Sequence, residues 1–209
     1  MDDQAVFAAI ARVRLRFADL IDSIDDDRLG TPSLCAGWAV RDVAGHLSIA
    51  SAPSLPALLW AVLRAGGSYD RAMDRLSRDA GTRPVAELAA TIRANAGSRF
   101  AMPEVGPRGP LTDVLVHTVD VAQPLGLEYD AGPDGLRAAL EFVTAGRATA
   151  FVARGRLAGL RLVADDVGFA AGAGAEVTGR AIDILAAACG RAAVLDRLTG
   201  PGVEILRAR

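Results

Sequence analysis

Residues 31–50, TPSLCAGWAVRDVAGHLSIA, carry a cysteine, a tryptophan and one of the two histidines in the chain. The stretch opens as a turn, with Thr31, Pro32 and Ser33 in succession, and passes through Gly37 into an apolar run. From Ala39 onward Val43 and Leu47 recur at a spacing of four, which predicts a helix with one apolar face. His46 lies inside that helix. An imidazole in such a place requires a hydrogen-bond partner, a proton to move or a metal to bind.

Working outward, the same periodicity organises the rest of the first two-thirds. Val6, Ile10, Val13, Phe17, Leu20 and Ile24 form a stripe that ends near the acidic turn at 25–30. The second helix starts near Ala39 and reaches toward Val62. Pro53 and Pro56 should bend or interrupt it, because each removes a backbone donor. A third helical region covers 69–101 with a break at 81–84. Residues 102–110, MPEVGPRGP, read as a loop. A fourth helix follows over 111–126, LTDVLVHTVDVAQPLG, with Thr112 as its N-cap and Pro124–Gly126 as its stop.

The pattern changes after residue 130. One helix is expected over 134–153. Leu160, Leu162 and Ala164 then alternate with Arg161 and Val163 among glycines, as strands and turns do. Residues 180–198 return to helical spacing. The expectation is a mainly α protein: a four-helix bundle over 1–130 and a small α/β segment over 131–209.

Composition narrows the function. The 209 residues have a formal net charge of -2, with all 23 basic residues arginine. Neither a nucleic acid nor an anionic membrane is the expected partner. No signal peptide and no apolar run of 18 residues is apparent, and two distant cysteines fit reduced thiols, so a cytoplasmic protein is expected. Cys35 precedes a helix N-terminus, where a thiol pKa falls, but it reads better as a small residue packed beside Trp38. Trp38 is expected to bury a large aromatic surface, and Cys189 to pack on an apolar face.

The chemistry concentrates in the fourth helix. Asp113 and His117 are one turn apart and project from one face. A carboxylate and an imidazole so placed can grip a borderline divalent metal, with His46 the remaining histidine. Two unrelated structural histidines would give the same spacing. Asp120 reads as a hydrogen-bond acceptor behind the ligands or as a packing group.

TPSLCAGWAVRDVAGHL resembles a signature of the mycothiol-dependent maleylpyruvate isomerase family, a branch of the DinB-like metal-binding four-helix bundles. DVLVHTVDVAQPLGL is similar to that family's second signature, and 177–206 to its C-terminal α/β segment, likened to sterol-carrier folds. The resemblance implies metal ligands His46, Asp113 and His117, with aspartate at 113 where the isomerase has glutamate. It implies zinc with an open position, and mycothiol as cosubstrate. The thiolate would add to a cis-enoyl bond, which rotates before the thiol leaves. Arg191 is the implied cation for the anionic substrate, with Arg41 a weaker candidate. The resemblance leaves open a small-molecule isomerase or thiol transferase, a DinB-like hydrolase, and a non-catalytic ligand-binding module. Either a monomer or a homodimer is compatible with it.

Overall fold

The structure, a computed structural model, describes residues 1–128 and 131–209. Nine α-helices and three strands are found among them. The boundary expected at 130/131 adjoins residues outside that description. Contacts group the chain into two compact units. One contains Ile10–Phe100 and 120–128; the other contains Met1–Ala9, Ala101–Val119 and 131–209.

Helix α1 spans Asp3–Asp22, started by Asp2, whose carboxylate accepts from the Ala5 amide at 2.8 Å. Val6, Ile10, Val13 and Phe17 are buried as the stripe requires. Ile21, not Leu20, continues it inward, because the step from Phe17 along the face is four.

The expected long second helix is two. Helix α2 spans Val40–Ser51 and α3 spans Leu55–Arg64. Pro53 falls in the break between them. Pro56 is different: it occupies the first turn of α3, where a missing N–H costs nothing. Ser54 caps α3. Leu55, Leu59, Trp60 and Leu63 of that helix are exposed.

Helices α4 (Tyr69–Gly81) and α5 (Val85–Ala94) fill the third region, separated by residues 82–84. Helix α2 packs against both. Val40, Val43, Ala44 and Leu47 of α2 and Leu88, Ala89 and Ile92 of α5 are all buried. The contact with α4 is closer than side chains usually allow. A Cβ built on Gly45 would lie 2.3 Å from the carbonyl oxygen of Ser77 and 2.6 Å from the amide nitrogen of Gly81. One built on Gly81 would lie 2.8 Å from the carbonyl oxygen of Arg41. Glycine on both sides lets the two backbones touch.

Helix α6 spans Arg108–Ala122. It begins four residues before the expected cap, so Thr112 is not an N-cap. Its hydroxyl donates to the Arg108 carbonyl at 2.8 Å, within the helix. Gly109 and Pro110 look like loop residues in sequence, but proline fits a first turn. Helix α7, Pro133–Thr144, ends about three turns into the expected 134–153 segment. Gly146, at φ +74°, takes the left-handed conformation that stops it.

Strands β1 (Leu160–Ala164), β2 (Phe169–Gly172) and β3 (Ala175–Thr178) form a sheet of order β2-β1-β3. β1 pairs antiparallel with β2 and parallel with β3. Leu160, Leu162 and Ala164 point inward, as the alternation predicts. Helix α8 (Ala181–Ala188) is buried throughout. A 3-10 turn over Ala192–Arg197 and helix α9 (Gly202–Arg207) follow, where the sequence suggests one helix to 198. Thr199 forms an antiparallel bridge to Thr178 on the outer side of β3. The Arg209 guanidinium donates to the carbonyls of Gly155, Arg156 and Ala158. Among the described residues no helix is long and apolar enough to cross a membrane.

Candidate metal centre

Asp113 and His117 are presented by α6. One turn of helix sets His117 Nε2 3.5 Å from Asp113 Oδ1, with the imidazole buried and the carboxylate half-buried. The neighbouring hydroxyls of Thr112 and Thr118 are turned back onto the helix, donating to Arg108 and Val114 carbonyls. Asp120, a turn further on, is fully buried, and its carbonyl accepts from the Leu34 amide at 3.1 Å.

His46 is presented by α2 next to the glycine that admits α4. Because Gly45 brings the α4 backbone so near, Ser77 Oγ lies 3.3 Å from His46 Nδ1. A proton on Nδ1 donated to this hydroxyl leaves the lone pair on Nε2, the arrangement common to ligating histidines. The Trp38 ring packs on the imidazole with centroids 5.3 Å apart, tilted by 49°.

The loop before α2 is closed on itself. Both the amide and the hydroxyl of Ser33 donate to the Trp38 carbonyl at 2.9 Å, and Val40 N–H donates to the Thr31 carbonyl. Asp42 in the first turn accepts from the Ala39 amide at 2.9 Å. Trp38 corrects the expectation of a core tryptophan. It is half-buried, and its Nε1–H donates to Asp74 Oδ1 at 2.8 Å. That bond, then Arg78, holds the Asp74 carboxyl below the usual carboxylate range against a partial burial cost. Cys35 is half-buried in the loop and Cys189 is buried, and neither forms a disulfide.

His46, Asp113 and His117 together are a candidate metal site. Two imidazoles and a carboxylate suit a borderline divalent ion such as zinc. Arg191 lies in the C-terminal part, half-buried, and donates to the Cys189 carbonyl at 2.8 Å. Arg41 is exposed. Sequence reading does not reach Asp74, Ser77 and Arg78. They sit on α4 within four residues of one another, and only their distant partners give them meaning.

The profile of the family described as mycothiol maleylpyruvate isomerase N-terminal domain matches residues 10–122, more than half of the chain. The chain belongs to this family. The matched part of the isomerase family domain contains His46, Asp113, His117 and Trp38, while Arg191 lies outside it. Solved structures carry the fold further. A crystal structure of a mycothiol-dependent maleylpyruvate isomerase is similar at TM-score 0.63 and 15% identity, covering 96% of this chain and 93% of that one. A histidine-to-alanine variant of such an isomerase is similar at the same TM-score and coverage and 14% identity. No curated protein matches the chain.

Proposed function

We propose that this member of the family is a metal-dependent, mycothiol-using isomerase or thiol transferase acting on a small electrophilic substrate of the enoyl acid type. The observation that carries the reading is the α6 pair, a half-buried carboxylate 3.5 Å from a buried imidazole, inside the segment that matches the family. Membership of a family named for its mycothiol dependence supports the choice of thiol.

In this reading His46, Asp113 and His117 are the ligands, and the donor set fits zinc. When bound, the ion would hold the sulfur of the thiol as thiolate near neutral pH. The chain's residues do the rest. Ser77 Oγ can accept from His46 Nδ1–H, the tautomer that leaves the lone pair on Nε2 for a metal. Asp113 is the single anionic ligand of the three, so the charged site still favours an anionic fourth partner over a neutral one. Asp120 stays behind the ligands, which keeps a coordination position open. Arg191 pairs with the substrate carboxylate, since a guanidinium fits that group bidentately. The protein works in the cytoplasm on small molecules, as a monomer or homodimer, with no nucleic-acid or membrane partner.

The test is the isomerisation of maleylpyruvate by the purified protein with and without mycothiol, alongside elemental analysis of its metal. Turnover that needs both the thiol and about one divalent ion per chain supports the reading. Hydrolytic turnover independent of thiol would replace it with the hydrolase alternative, and a metal-loaded protein with neither activity would leave a binding module.

A further inference from the structure

We infer that Asp74 and Trp38 form a positioning pair that holds the His46 imidazole in its ligating orientation. The inference rests on the reading of His46 as a metal ligand and assigns a role to two residues that bind no metal themselves.

An imidazole on a helix turns about two side-chain torsions, and a ligand must be held in one setting of both. Ser77 supplies one restraint, but at 3.3 Å its contact with Nδ1 is long for a hydrogen bond and leaves the ring tilt loosely defined. The Trp38 ring supplies the second, lying against the imidazole at 5.3 Å between centroids. Trp38 can act as a wall only if its own ring is fixed. It is fixed through the short bond from Nε1 to Asp74. Asp74 is held in turn by Arg78 Nε at 3.0 Å, and a second nitrogen of the same guanidinium donates to the Gly37 carbonyl at 2.7 Å.

Residues 37 and 38 of the loop are thus tied to one turn of α4. The same face of that helix carries Ser77, three residues after Asp74. A single element therefore sets both restraints on His46, one directly and one through the indole. Asp74 is otherwise an exposed carboxylate, its side chain 46% accessible, and its bond supplies the partner that the half-buried indole N–H requires.

Zinc affinity, measured by competition with a chromophoric chelator, tests the pair. Asp74→Ala and Trp38→Phe should each weaken zinc binding about 10-fold, as loss of a residue supporting a ligand commonly does. The double variant should lose no more than either single change, since both delete the same bond. Asp74→Asn keeps a carbonyl acceptor and should recover most of the loss. Unchanged affinity in Asp74→Ala, or additive losses in the double variant, would overturn the inference, whatever happens to the melting temperature. A second measurement needs no metal. With two histidines in the chain, the His46 ring protons can be assigned by NMR in chelator-treated protein, where the Trp38 ring imposes a ring-current shift. In Asp74→Ala that shift should collapse while the His117 resonances stay; an unmoved His46 overturns the pair. Wild-type protein that takes up no zinc overturns the metal reading instead, and the NMR result then decides the positioning pair alone.

Discussion

Gly45→Ala should destabilise the protein, although alanine is the better helix former. In an open helix the change would add about 1 kcal/mol of stability. Here the new methyl would enter 2.3 Å from the Ser77 carbonyl oxygen, 2.6 Å from the Gly81 amide and 3.0 Å from its Cα, all backbone atoms of α4. No rotamer change relieves a clash with backbone. Restoring ordinary contact requires α2 and α4 to part by about 1 Å. Overpacking a tight interface costs about 1–3 kcal/mol, and a collision with backbone belongs at the upper end of that range. Subtracting the propensity gain leaves a net loss of about 2 kcal/mol. For a protein of this size that is a drop of about 4–8 °C in melting midpoint. The same displacement carries Ser77 out of hydrogen-bonding reach of His46, so zinc affinity should fall as well. Circular dichroism melts and urea titrations measure the first effect, with Gly97→Ala as control, since nothing lies within 4 Å of a Cβ there. A Gly45→Ala protein as stable as wild type would refute the backbone contact between the two helices.

His46→Ala and His117→Ala should each strip the metal and abolish thiol-dependent turnover with the helical signal kept, because the apolar stripes do not involve either ring; elemental analysis and circular dichroism check this together. Trp38→Ala should cost about 1–2 kcal/mol in urea titration, below the about 3–5 kcal/mol of an emptied aromatic core site, because the ring is only half-buried. Burial raises the Asp183 carboxyl above its ordinary range, partly offset by Arg197 3.6 Å away. An acid raised in the folded state favours folding most below its unfolded pKa, and this contribution is lost as pH rises through the folded value. Asp183→Asn should therefore gain on wild type in melting midpoint as pH climbs from 3 to 7, and parallel curves would show that burial does not control this group.

Much of the fold is legible because periodicity reports burial. Val6 to Phe17 and the alternation at Leu160, Leu162 and Ala164 are read directly from spacing. The failures have physical causes. Thr112 looks like a cap because Gly109 and Pro110 look like loop, yet a first helical turn accepts both. Pro56 breaks a helix by rule, but at the start of α3 it begins one. Of the site, the Asp113–His117 pair is visible because both residues share one helix, and local spacing fixes their separation. The support of His46 is not visible, because the partner of Trp38 is 36 residues away and that of His46 is 31. Gly45 does carry a signal that periodicity ignores. A glycine inside a helix is costly, and its presence beside a histidine marks a close approach.

The bridge between Thr178 and Thr199 has a consequence for how the chain ends. A strand at the border of a sheet offers unpaired amides and carbonyls to any other extended chain, which is the usual route to aggregation. Part of the outer border of β3 is occupied by the returning chain at Thr199, and Arg209 fastens that return onto the carbonyls at 155–158. The last dozen residues thus act as a guard strip. Proteolytic trimming or an early stop codon beyond Arg197 would uncover that border and also remove the buried Leu198, Val203 and Leu206, so such truncations would be prone to aggregate.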